Sequence, residues 1–414
     1  LSTRALCVSA LIGERMVTWT PGSPIPPEVL ACIDAAVPFV AHNANGFDRH
    51  VWELTLRWPQ VAWVDTSQLC RMCGLPGALD AAGSKVLGRQ KDHEGAALTK
   101  QLSRLDRTGH LPVVTPAILK RVVEYCEDDV RLMKAIFDAR LQTWVPREAD
   151  VRHVDAIIND RGFGVDLELV AKLEVLSESL INDHLHMAGL ADRGLLRRIP
   201  KFLEKLSTYG VTAKDARADT LKGILANGVQ NEKARHMIQA RLLEASVVDG
   251  KLRAVHSNAT DGRVHDSLRY FGAHTGRWTG RRFQPQNLPR TPKGLDVAGI
   301  VAALMAGDEA PFRAAVLASP SQTADEELPP LLRAVIAAPP GRLLAQADYA
   351  SIEARGVLWL VGDEQKLDQL RQGVDLYKVM ASRVFGVGID EVTDEQRRLG
   401  KALVLGCGYQ MGPK

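Results

Sequence analysis

The chain has 414 residues, 46% hydrophobic and 24% charged, with a formal net charge of +3. That length exceeds what one hydrophobic core serves and implies two or three domains, while so small a charge excess identifies no polyanionic partner. Six scattered cysteines exclude a disulfide-stapled secreted scaffold, and no apolar run is long enough to cross a bilayer, so the expectation is a soluble, unexported protein of a reducing cytoplasm with no membrane partner.

In chain order, Leu6 to Trp19 carries two apolar stretches around a Gly13-Glu14-Arg15 turn, the pattern of a β-hairpin. Pro38 to Ala41 is a short apolar strand, and Phe47 to Trp58 takes helical spacing through Val51 and Leu54. Cys70 and Cys73 form a lone CxxC with no second pair at zinc spacing and are expected to be half-buried packing residues. An apolar stripe from Ile118 to Ile136 predicts a helix over residues 116–141. Trp144-Val145-Pro146-Arg147 interrupts it and marks a boundary, after which long helices are expected from Val151 to Ser246. Gly272 to Lys293 is rich in Gly, Arg and Pro and reads as loop, Ser319 to Glu327 as a polar surface loop, and Arg342 to Ala347 as a strand with Leu343 and Leu344 at its centre. Helices resume at Ser351, and no internal repeat is present.

The chemistry concentrates near the C-terminus. LLAQADYASIEAR places Asp348 at the end of the expected strand, with Ser351, Glu353 and Arg355 opening a helix. A carboxylate at such a junction can bridge the two metal ions used in phosphoryl transfer, although an isolated Asp there more often caps a helix. A second constellation tips the balance: Arg397, Lys401, Leu405 and Tyr409 follow at four-residue steps, which keeps them on one broad helix face. Two cations one turn apart can grip a triphosphate, with Lys401 near the reacting phosphates and Tyr409 near the base. A solvated basic helix would explain the cations, but not Gly406, Gly408 and Gly412 clustered behind them.

Asp348 to Arg355 resembles motif A, and Arg397 to Tyr409 motif B, of family A DNA polymerases, most closely the phage-encoded branch. The resemblance implies that Asp348 binds both metals, that Glu353 limits the ribose 2′ side, and that Arg397 and Lys401 bind the incoming nucleotide. Leu405 stands where many members carry an aromatic residue, which leaves sugar discrimination open. Upstream, HTGRWTGRRFQPQNLPR resembles the family's Thr-Gly-Arg segment and the Gln-Asn-x-Pro turn. It implies primer–template contacts for Arg277, Gln286 and Asn287, and more loosely for Lys251 and Arg333; four arginines from Arg277 to Arg290 support phosphate binding on independent grounds.

AHNANGFD, ending at Asp48, and YCEDD, from Tyr125 to Asp129, are similar to the second and third motifs of the family's 3′-5′ proofreading exonuclease. The resemblance implies that Asp48 and Asp129 hold metal and that Tyr125, one helical turn before Asp129, orients a water; Asn43 is the expected amide of the second motif, with Asn45 as the alternative. The DxE pair of the first motif has no counterpart before Asp48, where the acidic residues are Glu14, Glu28 and Asp34. The polymerase's second catalytic aspartate has none after Asp348, since Asp363, Asp375 and Asp390 fall in finger helices or their linkers.

The expected fold is mixed α/β. It comprises a ribonuclease-H-like exonuclease domain over residues 1–147, a helical thumb over 148–260, a partial palm with motif A over 261–363 and the start of the fingers over 364–414. The implied function is template-directed nucleotide addition to a primer 3′ end with Mg2+, with primer–template DNA and dNTPs as partners, by a monomer in the cytoplasm of a phage host. A start at Leu1 and an end at Lys414 lead to the expectation of an inactive fragment cut short at both ends. A stand-alone 3′-5′ nuclease with a DNA-holding C-terminal half, and a non-catalytic DNA-binding remnant, are the rival readings.

Overall fold

The computed structural model describes residues 4–106, 108–289, 291, 295–308, 310–313, 328 and 330–408, with backbone alone at 247, 249, 407 and 408. The chain is mixed α/β and rich in helix. It divides into two compact units, Leu1–Arg342 and Leu343–Lys414.

In the first unit, the expected hairpin forms from β1 (Val8–Ile12) and β2 (Arg15–Trp19), paired antiparallel with Ile12 opposite Arg15. Gly13 turns the chain at φ +60°, a conformation that favours glycine in so tight a connection. β3 (Phe39–Ala41) pairs in parallel with β4 (Trp63–Asp65). Between them a 3-10 turn at Ala44–Gly46 precedes the expected helix from Phe47 to Trp58, which is broken into an α turn at Asp48–His50 and a π turn at Val51–Thr55. Trp52 explains the break. Its ring is buried among Phe39, Trp58 and Trp63 with centroids 4.7 to 5.6 Å away, and its indole N–H donates to the carbonyl of Pro59, where the helix cannot continue.

The helix Pro116–Ile136 is the spine of the N-terminal part; Thr115 caps it and Pro116 occupies its first turn. β2 is fastened to it by Thr18, which donates to Glu127 at 3.0 Å. The core beneath contains Leu69, Leu79, Leu132, Ile136 and Leu141, together with Tyr270 from far along the chain. Cys70 is fully buried in this core and Cys73 half-buried, so only Cys73 matches the expected half-burial of both.

The helical run breaks near Trp144 as expected, and Glu148 turns the chain at φ +50° into the helix Ala149–Arg161. Only one of the helices that follow is long: Leu167–Met187, which packs on Glu232–Glu244 and Val247–Asn258 over the larger core, with Leu176, Leu180, Phe202 and Met237 at its centre. Elsewhere the expected long helices are shorter, and the run is broken after Arg161, where Phe163–Gly164 leaves it to pair with Arg263–Val264. The polar stretch from Ser319 to Glu327 lies outside the described residues.

The second unit is helical: Ile352–Leu360, Glu364–Arg371, Leu376–Phe385 and Asp394–Gly408. The strand expected at Arg342 to Ala347 does not form; Leu343 is 96% and Leu344 61% exposed. A strand exists by pairing, and among the described residues of this unit there is none to pair with.

Candidate nucleotide and primer–template sites

Around Asp348 the segment from Gly341 to Ala350 is exposed, and the chain enters the helix Ile352–Leu360 through Ser351 at φ +54°, an uncommon conformation for a residue with a side chain. Arg355 holds this entry by donating from Nε to the Ala350 carbonyl at 2.9 Å and from Nη2 to the Leu370 carbonyl at 3.3 Å. The residues of the expected motif A thus sit on a turn braced by their own arginine.

The helix Asp394–Gly408 brings Arg397, Lys401 and Leu405 onto one face; Tyr409 lies outside the described residues. The Tyr377 ring lies beneath both cations, 5.4 Å from the Arg397 guanidinium carbon and 6.0 Å from Lys401 Nζ. Arg397 is further fixed by Asp375, whose Oδ2 accepts from its Nε at 2.6 Å. Asp375 also caps the helix Leu376–Phe385. Against the upward push of burial, Arg397 and the capped N–H groups hold this carboxyl below its ordinary range. Of the expected glycines, Gly406 is buried, whereas Gly412 is outside the described residues. The close approach occurs instead at Gly400, between the two cations, where an added Cβ would lie 2.2 Å from the Tyr377 carbonyl oxygen.

In the first unit the Thr-Gly-Arg segment is the turn of a small hairpin, Leu268–Arg269 against Thr279–Gly280. Arg277 is exposed at this turn, with its carbonyl accepting from Ala273 at 3.1 Å. The following turn, Pro285–Asn287, leaves Gln286 and Asn287 exposed, and Asn287 donates to Gln284 at 2.7 Å. The structure gathers Lys251 and Arg333 here too, with their donors engaged by backbone carbonyls. Lys251 donates to the Phe283 carbonyl, and Arg333 donates to the Pro289 and Leu288 carbonyls at 2.6 and 2.8 Å. Both hold the shape of the segment. Of the four arginines expected to bind phosphate, Arg281 and Arg282 pair with Asp266, and Arg290 is outside the described residues.

In the N-terminal part, the His42 to Asn45 turn wraps around Asp65, a buried carboxylate that sequence reasoning missed. Its oxygens accept from the backbone N–H groups of Asn43 (3.0 Å), Asn45 (3.1 Å) and Ser67 (2.9 Å). The only sequence signal was its place as an N-cap before Thr66–Met72. Asp48 is pushed up to about 7 by burial, with the Asp65 charge adding to it. Tyr125 and Asp129 come together on the helix Pro116–Ile136 as expected, but Lys91, also missed, joins them: its Nζ is 2.7 Å from Asp129 and 4.9 Å from the Tyr125 ring centroid. Burial raises the Asp129 carboxyl and Lys91 opposes that rise. Among the described residues, no three His, Cys, Asp or Glu side chains group as metal ligands, and no helix is long and apolar enough to cross a membrane. The donor sets around Asp348 and around Asp129 therefore do not fit a metal pair.

The model of DNA polymerase family A matches residues 202–414, just over half of the chain. The chain belongs to DNA polymerase family A. It is 28% identical to the DNA polymerase of Bacillus phage SP02 over 96% of its own length and 63% of that relative's. It is 30% identical to DNA polymerase I of Mycobacterium bovis over 63% of its length and 26% of that protein's. The chain thus spans less than two thirds of these relatives. Its fold is similar to the POL domain of Pol1 from M. smegmatis, solved in complex with DNA primer-template and dNTP, at a TM-score of 0.56 and 21% identity, covering 96% of this chain and 63% of that one. Family A DNA polymerases generally use Mg2+.

Proposed function

We propose that this chain is the part of a phage-type, template-directed DNA polymerase that holds primer–template DNA and the incoming dNTP. The observation carrying this is the cation row of Arg397 and Lys401 over Tyr377, one helical turn apart, with Arg397 braced by Asp375. Two cations at this spacing suit a triphosphate, whereas a nuclease has no use for them. Arg277, Gln286 and Asn287, exposed on adjacent turns, are the groups offered to the primer–template, and Asp348 is the carboxylate offered to the reacting end.

Among the described residues, the donor sets around Asp348 and Asp129 are short of a metal pair, and the activity we assign to them is DNA and nucleotide binding. The N-terminal part, for which we retain the ribonuclease-H-like exonuclease reading, the thumb, palm and finger divisions, the monomeric state and action in the host cytoplasm belong to the same proposal. The test is titration of the chain with a labelled primer–template and then with dNTP, for wild type and Lys401→Ala. Primer–template binding with dNTP-dependent tightening that Lys401→Ala abolishes is expected; no response to dNTP in the wild type overturns the reading.

A further inference from the structure

The helix Ala149–Arg161 carries a buried carboxylate that none of the assignments above uses. Asp155 is 3% exposed, and three side chains donate to it: Gln68 Nε2 to Oδ2 at 2.9 Å, Trp278 Nε1 to Oδ1 at 2.8 Å and Asn159 Nδ2 to Oδ1 at 3.2 Å. A carboxylate withdrawn this far from water persists only where such donors replace its hydration.

The donors come from separate places in the chain. Gln68, itself 3% exposed, belongs to the helix Thr66–Met72 beneath the Asp65 turn, and its Oε1 accepts from Asn45 at 3.4 Å. Trp278 is the residue after Arg277. Its indole edge reaches the buried carboxylate while 40% of the residue stays exposed, and its ring meets Tyr270 edge-on at 5.4 Å. One turn along the same helix, the Asn159 side-chain carbonyl accepts from the backbone of Leu268 at 2.9 Å, at the other limb of the hairpin. Tyr270 is in turn seated in the N-terminal core, its carbonyl accepting from Arg71 at 3.0 Å. The hairpin bearing Arg277 is thus fastened along one helix face and backed by the N-terminal part.

We propose that Asp155 is a positioning residue for primer–template binding: through Trp278 it sets the turn that presents Arg277, and through Gln68 it makes the N-terminal part the support of that turn. The inference rests on the primer–template reading above. An indole held at its N–H by a fixed acceptor cannot swing, so its neighbour Arg277 meets the duplex with its backbone already in place.

The test compares wild type, Trp278→Phe, Asp155→Leu and Asp155→Asn, each alone and with Arg277→Gln, by anisotropy of a fluorescein-labelled primer–template duplex over a salt series, with thermal midpoints recorded alongside. Trp278→Phe keeps an aromatic ring against Tyr270 but loses the indole N–H and part of the indole's volume; it and Asp155→Leu are expected to weaken binding about tenfold and to reduce the salt slope by about 0.9, the share of one phosphate contact. Asp155→Asn retains an acceptor for Trp278 and is expected to bind within about twofold of wild type. With Arg277→Gln already present, neither change weakens binding further, because the contact they position is gone. Trp278→Phe that melts like the wild type and binds with unaltered affinity and slope overturns the proposal, as do losses that add to that of Arg277→Gln. If Asp155→Leu does not fold, Trp278→Phe decides alone. A wild type with no salt-dependent binding overturns the primer–template reading and this one with it.

Discussion

Lys91 places its ammonium nitrogen 2.7 Å from the Asp129 carboxylate, at the position where a proofreading exonuclease would be expected to use that carboxylate for metal. An ammonium satisfies the negative charge without supplying any Lewis acidity. Lys91→Ala leaves a half-buried carboxylate without its cation and with only the Tyr125 hydroxyl as a partner, which destabilises the protein by roughly 1–3 kcal/mol. Neither wild type nor variant is expected to shorten a 3′-labelled oligonucleotide with added Mg2+, and chelation is expected to leave the urea midpoint of the wild type unchanged. Mg2+-dependent shortening by wild-type protein would contradict this account.

A second pair sits in the larger core. His184 and His236 face each other Nδ1 to Nδ1 at 2.9 Å, so one ring must donate and the other accept. His184 is pushed down to about 4 by burial and then by His236; His236 is lowered by burial and then by Arg235. A folded-state value below the unfolded value of about 6.5 contributes stability that is complete above pH 6.5 or so and lost as pH falls through the folded value. His184→Asn can keep a hydrogen bond to His236 without titrating. Urea melts between pH 7.5 and 4 are expected to lose less stability in this variant than in wild type.

Gly400 lies between Arg397 and Lys401 on the helix Asp394–Gly408. Its missing Cβ would lie 2.2 Å from the Tyr377 carbonyl oxygen and 3.1 Å from the Ala381 nitrogen, both backbone atoms that cannot rotate away. Gly400→Ala is expected to destabilise by roughly 1–3 kcal/mol and to weaken dNTP-dependent tightening by moving Arg397 and Lys401 off Tyr377. Gly356, in the helix Ile352–Leu360, has no atom within 4 Å of such a Cβ, so Gly356→Ala is expected to stabilise by roughly 0.5–1 kcal/mol. Calorimetry of the two variants side by side checks both signs.

Arg333 donates to two carbonyls of the Gln-Asn-x-Pro turn instead of standing free for phosphate. Arg333→Met is therefore expected to loosen that turn and weaken primer–template binding severalfold while leaving the salt slope unchanged. A direct phosphate contact would instead remove about 0.9 from the slope. Tryptic cleavage after Arg281 or Arg282 is expected to quicken in the same variant.

Local pattern made the hairpin at Val8 to Trp19, the strand at Phe39 and the helices at Pro116 and Asp394 legible, since alternation, proline and helical spacing act within a few residues. The same spacing made Arg397 and Lys401 recognisable as neighbours. It could not reveal Tyr377 beneath them, Lys91 against Asp129, or Asp155 beneath Trp278, because each of those contacts is chosen by packing between distant segments. The glycines expected to permit close approach were sought after the cations, whereas Gly400 between them meets the neighbouring helix. The strand at Arg342 failed for a related reason: apolar pattern proposes a strand, but only a paired edge makes one.

Tyr270 completes a core whose other buried members all precede Trp144. On the ribosome, that core stays unfinished until some 120 further residues have emerged, so the N-terminal part waits on the hairpin that it later supports. Trimming the chain to its first 147 residues would leave a hole where the Tyr270 ring belongs and Arg71 without its carbonyl partner. The boundary that suggests a separable module in the order of synthesis is, in the finished protein, a seam sewn shut from the far side.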